Sequence, residues 1–139
     1  MRIGDVLKAK PSHDVVTISP DAGVRELVAR LAEHNVGALI VSADGATVDG
    51  IVSERDVVRH LHHDGTVINN TVSAIMTAAV ETCDEDTHLD DIMKVMTERR
   101  TRHLVVMEND KLAGLISIGD VVKQRLIDMD LEVETLRGY

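Results

Sequence analysis

Phenylalanine and tryptophan are absent from this chain, and Tyr139 is its one tyrosine. Base stacking on aromatic platforms, the usual grip of single-strand nucleic-acid binders, is thereby nearly excluded. Cysteine is almost missing too. Cys83 alone cannot form an internal disulfide, which favours a reducing, cytoplasmic setting. Cations are outnumbered, 15 Lys and Arg against 24 Asp and Glu, giving a net charge of −9. A nucleic-acid backbone and an anionic membrane both demand a basic face, so neither is expected as a partner. No apolar run nears the roughly 20 residues of a membrane span. Met1–Asp5 also lacks the apolar region of a signal peptide. What is left is a 139-residue globular chain, 44% hydrophobic, long enough to bury one ordinary core.

What the chain does have is a message stated twice. Gly50-Ile51-Val52-Ser53-Glu54-Arg55-Asp56-Val57-Val58-Arg59 returns as Gly114-Leu115-Ile116-Ser117-Ile118-Gly119-Asp120-Val121-Val122-Lys123. Each copy is an apolar strand-like run, then Ser-x-x-Asp, a valine pair and a cation. Upstream, Val15, Thr17, Asp21, Val24, Leu27, Leu31 and Leu39 meet Val80, Thr82, Asp86, Leu89, Ile92, Met96 and Leu104 at a constant offset. The offset shortens by one after Asp44-Gly45. Two copies of one unit point to two subdomains related by pseudo-two-fold symmetry, not to a solenoid.

Each copy reads as a short helix, a strand, a helix, two strands and a helix. The opening helices are 3–8 and 72–76, and short strands follow at 15–18 and 80–83. Ser19 before Pro20 reads as an N-cap with proline at the first helical position, and Asp84 takes the cap position in the second copy. Val24, Leu27, Val28 and Leu31, like Leu89, Ile92, Met93 and Met96, fall on one helical face. Strands are expected at 38–42, 48–53, 103–107 and 112–117. Turns at Asp44-Gly45 and Glu108-Asn109-Asp110 join them. The segment 63–70, with Gly65, Asn69 and Asn70, reads as the linker.

These β-α-β-β-α repeats, each closing its last strand with Gly, two apolar residues and Ser-x-x-Asp, resemble CBS domains, named after cystathionine β-synthase. The resemblance covers nearly the whole chain and implies an α/β tandem pair of CBS domains. The expected division is repeat 1 at 1–64, repeat 2 at 65–128 and a C-terminal helical extension at 129–139. In that family the two domains pack sheet to sheet and adenine nucleotides bind in clefts between them. AMP, ADP, ATP, NAD(H) and S-adenosylmethionine are typical ligands. The family's Asp holds ribose hydroxyls and its Ser or Thr lies near phosphate. CBS sequences commonly carry proline within the second strand, where this chain has Ile40 and Val105.

The residues themselves suit that chemistry. Ser53 and Ser117 each end a strand and start a helix, where free N–H groups favour phosphate. Asp56 and Asp120 are acceptors suited to a pair of ribose hydroxyls. Ser-x-x-Asp is also the pattern of a capping box, and the two roles can coexist. Thr17 and Thr82 fall where the family touches base or ribose; threonine also simply suits a strand. Arg99-Arg100-Thr101-Arg102-His103 is the densest cationic run. It complements a helix C-terminus or forms a phosphate lip through Arg102 or His103. Arg55 against Gly119 makes the two clefts unequal. His60, His62 and His63 lack a placed carboxylate and read as a solvated helix end, not a metal site. No nucleophile-base set, Walker loop or dinucleotide glycine fingerprint occurs, so no enzyme is expected.

Val122, Leu126, Met129, Val133 and Leu136 form an a/d stripe on the last helix. It either packs back onto the same chain or makes a subunit interface. The resulting expectation is a regulatory adenine-nucleotide-binding module, homodimeric, requiring no cofactor and acting by a shape change on an unidentified protein target. The alternatives are a constitutive dimeric scaffold with vestigial clefts and an enzyme of nucleotide metabolism.

Overall fold

The computed structural model describes residues 1–10 and 15–137. Its elements run α1 (Ile3–Ala9), β1 (Thr17–Ile18), α2 (Val24–His34), β2 (Ala38–Val41), β3 (Gly50–Ser53) and α3 (Glu54–His63). A 3₁₀ turn at Val67–Asn69 follows. Then come α4 (Val72–Ile75), β4 (Thr82–Cys83), α5 (Leu89–Arg99), β5 (His103–Glu108), β6 (Lys111–Ser117) and α6 (Ile118–Arg137). The strands make two three-stranded sheets of order β1-β2-β3 and β4-β5-β6. β1 runs parallel to β2, with Thr17 beside Ile40, and β4 runs parallel to β5, with Thr82 beside Val105. β2 and β3 are antiparallel, with Ala38 opposite Ser53.

The two compact units interleave the sequence. One gathers α1 with residues 81–109 and 113–137; the other holds 15–80 and 110–112. The cause is an exchange of opening helices. Ile3 and Val6 of α1 are buried with Leu89, Ile92, Met96, Leu104, Val106, Ile116 and Val121. Val72 and Ile75 of α4 are buried with Val24, Leu27, Leu31, Leu39, Val41 and Val52. Along β2, Leu39 and Val41 face that core. Ala38 and Ile40 are buried too, on the other face of the strand. Val105 repeats this between Leu104 and Val106.

Several element boundaries differ from the sequence expectation. α2 starts at Val24 behind Gly23, and α5 at Leu89 behind His88, without side-chain caps. The orphan N–H groups find backbone instead: Val24 donates to the Asn70 carbonyl and Leu89 to the Met1 carbonyl, both at 2.9 Å. Ser19 and Asp84 belong to the preceding turns, where Ser19 Oγ accepts from Asp21 N and Asp84 Oδ1 from Asp86 N. The expected linker contributes to a core, since Val67 is buried with α2 and α4. Val28 is exposed, so α2 buries three of its four stripe residues. α6 runs unbroken through Asp128 and Met129. Gly138 and Tyr139, in the expected extension 129–139, lie outside the described residues.

Candidate functional site

Both Ser-x-x-Asp motifs sit where a strand gives way to a helix, and both close a capping box. At the first, Ser53 N donates to Asp56 Oδ2 at 2.8 Å and Asp56 N donates back to Ser53 Oγ at 3.3 Å. Ser53 Oγ also donates to Asp56 Oδ2 at 3.0 Å. At the second, Ser117 N donates to Asp120 Oδ2 at 3.0 Å and Asp120 N to Ser117 Oγ at 3.2 Å. The residue before the central strand completes each junction. Gly37 O accepts from Glu54 N at 3.0 Å, and Arg102 O accepts from Ile118 N at 2.9 Å.

In each motif the cap consumes Oδ2. Among the described residues nothing donates to Oδ1 of Asp56 or Asp120. Both aspartates are half-buried. Each therefore combines a fixed carboxylate with an acceptor atom that can still take a hydroxyl. The helix cap and the ligand-facing role are compatible in one side chain.

The remaining candidates distribute around these junctions. Thr17, on the partly buried edge strand, lies across β2 from Ile51, two residues before Ser53, and its carbonyl accepts from Arg30 Nη1 at 2.8 Å. Thr82 is exposed on the corresponding edge strand of the other sheet. It borders a hollow of ≈ 480 Å³ with Cys83, Asp91, Val95 and Arg99. Arg55 is exposed and has no side-chain partner among the described residues. The arginine run splits. Arg99 pairs with Glu81, Arg100 takes the left-handed C-cap of α5, and the exposed Arg102 serves α6 through its carbonyl. His103 is half-buried at the start of β5, and Thr101 Oγ1 donates to its carbonyl at 3.0 Å.

Lys10, 110 positions from Asp120 in sequence, is a neighbour of the second motif that sequence reading missed. Its ammonium donates to Asp120 Oδ2 at 3.0 Å and to the Leu115 carbonyl at 2.9 Å. Nothing in the local pattern signals it, because the contact depends on α1 packing against the second sheet. Burial pushes the Asp120 carboxyl upward. The Ser117 N–H and the Lys10 ammonium outweigh this and hold it below its ordinary range. Cys83 behaves oppositely. Burial, aided by the charge of Asp84, pushes its thiol up to about 11, so it stays protonated and unreactive at neutral pH.

The motif glycines have a packing reason. A Cβ on Gly50 would stand 2.7 Å from the Thr77 carbonyl oxygen, and one on Gly114 would stand 2.7 Å from Leu7 Cδ2. Each glycine admits the tail of the exchanged helix, α4 or α1, against the strand that leads to the serine. His60 Nδ1 donates to the Asp56 carbonyl at 2.9 Å. Among the described residues no group of three or more His, Cys, Asp or Glu is placed to hold a metal ion. No helix among them is long and apolar enough to cross a membrane.

Comparison with known proteins agrees with this geometry. The family model of the CBS domain matches residues 3–63 and again 72–126. The CBS-domain containing protein ATU1752 from Agrobacterium tumefaciens is 41% identical. Its structure superposes with a TM-score of 0.85 over 89% of this chain and 92% of that one. The mitochondrial CBS domain-containing protein CBSX3 of Arabidopsis thaliana is 32% identical, over 99% of this chain and 70% of that protein. CBSX2, solved in complex with AMP, is 25% identical with a TM-score of 0.77, over 92% of this chain and 98% of that one. With both repeats matched and both motifs in the same strand-to-helix setting, this chain belongs to the CBS-domain family as a tandem pair of CBS domains.

Proposed function

We propose that the chain is a regulatory module that binds adenine nucleotides at its two Ser-x-x-Asp motifs and acts through a ligand-dependent change of conformation. The observation that carries this reading is the doubled cap that leaves Oδ1 of Asp56 and Asp120 without a donor among the described residues. The AMP complex of CBSX2 supports the ligand class. In this reading Asp56 and Asp120 accept from ribose hydroxyls, and Ser53 and Ser117 with the helix N-termini face phosphate. Thr17 and Thr82 lie toward base or ribose, and Arg55, Arg102 and His103 add polar contacts. The ligand works only by its differential affinity for the conformations it selects.

The module acts as a homodimer in this reading. Val122, Leu126, Met129, Val133 and Leu136 of α6 are all more than 40% exposed. A heptad-spaced apolar face of that kind suits a second copy of the same helix. In the other unit, α3 by itself exposes Val58 and Leu61, both by more than half. The competing reading, a constitutive scaffold with vestigial clefts, draws on the same caps: the aspartates already have a structural task. A thermal-shift panel of AMP, ADP, ATP, NAD(H) and S-adenosylmethionine separates the two. A nucleotide at 100 times its dissociation constant adds about 2.7 kcal/mol, several degrees of melting temperature for a chain of this size. No shift with any of them at millimolar concentration favours the scaffold.

A further inference from the structure

The last helix changes character along its length. Asp120, Lys123 and Arg125 are the charged residues of 118–127, and Lys10 already pairs with Asp120 at 3.0 Å. The N-terminal half of α6 is therefore left with two cations. The C-terminal half, 128–136, has Asp128, Asp130, Glu132 and Glu134 and no cation. Packing changes at the same point. α6 packs on α1 and α5, with Val121 and Gln124 buried. From Met129 on every described side chain is exposed, Leu136 by 74%. A short helical end that buries nothing is marginal in water, so this half needs a surface to lie on.

The apolar stripe fixes which charges flank it. With Val122, Leu126, Met129, Val133 and Leu136 on the seam, Lys123 and Asp130 fall along one side and Arg125 and Glu132 along the other. Each side thus carries a cation and, seven residues on, an anion. Laid parallel, two copies would bring the four carboxylates of one C-terminal half level with the same four of the other. That arrangement keeps Arg125 near the partner's Asp130 but leaves Lys123 without an anion. Laid antiparallel, each acidic half meets the basic half of the other copy. One antiparallel register satisfies both sides at once: Lys123 beside the partner's Asp130, Arg125 beside the partner's Glu132, and each pair repeated by the two-fold symmetry. The same register layers Val122 on the partner's Val133 and Leu126 on the partner's Met129. Gly119 is the next seam position toward the N-terminus, and only Ser117 Oγ lies within 4 Å of where its Cβ would stand. It leaves room for the partner's Leu136.

We propose that α6 pairs antiparallel with α6 of a second copy of this chain, its acidic half against the basic half of the other. This rests on the homodimer reading above and adds the orientation, the register and the charges that select the partner.

The test begins with light scattering of the intact chain. A monomer at high micromolar concentration overturns the homodimer reading and the proposal together. For a dimer, Val122→Cys and Val133→Cys chains, each carrying Cys83→Ala, are oxidised singly and as an equal mixture. The mixture should give a covalent dimer on a non-reducing gel. Each chain alone should not, because like positions stand roughly 16 Å apart along the antiparallel pair, beyond the reach of a disulfide. Covalent dimers from each chain alone would show a parallel pair and overturn the proposal while sparing the homodimer. No covalent dimer in any arm, from chains that still scatter as dimers, would overturn pairing through α6. Charge reversal checks the register. Lys123→Glu and Asp130→Lys should each weaken the dimer on the order of tenfold, and the two together should restore it to within about threefold of the parent. Additive weakening in the double variant would overturn the register.

Discussion

At Gly50 a single added methyl group would stand 2.7 Å from the Thr77 carbonyl oxygen, which already accepts from Ile51 N at 2.9 Å. Neither partner can retreat without breaking that bridge. Gly50→Ala should therefore cost about 1–3 kcal/mol. At Gly114 the obstacle is Leu7 Cδ2, the end of a side chain that can rotate, and Gly114→Ala should cost about 1 kcal/mol or less. Urea unfolding of both variants checks the order. Asp120 supplies a pH signature at the same scale. Its carboxyl is held below the ordinary range in the folded chain, so its contribution to stability is complete above the unfolded value of about 3.9. That contribution is lost as pH falls through the lower folded value. Asp120→Asn, which cannot titrate, should lose less stability between pH 5 and pH 2 than the parent does; urea midpoints across that range test it.

Among the elements, α2 and α5 end alike, with Asn35 and Arg100 in the left-handed region at φ 52° and 54°. Asparagine adopts that conformation at less cost than arginine, and the exposed Arg100 forms no side-chain bond among the described residues that would offset it. Arg100→Gly should stabilise the fold by about 1 kcal/mol, against a few tenths for Asn35→Gly, as read by denaturant midpoints. Period-two and period-3.6 patterns made the strands and the buried stripes of α2 and α5 legible in the sequence. Helix starts were not legible, because the first helical N–H groups, of Val24 and Leu89, donate to the carbonyls of Asn70 and Met1. No local side chain signals a partner that distant in sequence. Val67 was hidden for a related reason: a lone valine among Gly65, Asn69 and Asn70 looks like linker, yet it fills the core under α2. The motif serines and aspartates were readable from repetition. Lys10 was not, since its contact exists only once α1 crosses to the second sheet.

For the whole molecule, the exposed stripe of α6 and the doubled site make separate demands. Deleting 130–139 removes Val133 and Leu136 and should weaken self-association. Light scattering at high micromolar concentration should give a dimer for the intact chain, and a monomer there would contradict the interface reading. Chain-wide acidity, −9 overall, adds long-range repulsion to anionic ligands and makes local cations such as Lys10 more consequential. Binding itself is the heart of the matter, and calorimetry of AMP against the parent, Asp56→Ala and Asp120→Ala measures it directly. Saturable binding by the parent is expected, with each substitution weakening its own site by roughly 10- to 150-fold. The fold should persist, because a weakened helix cap costs only about 1 kcal/mol. If both variants bind AMP as the parent does, or the parent does not bind any adenine nucleotide, the two aspartates are helix caps alone and the sensor reading is wrong.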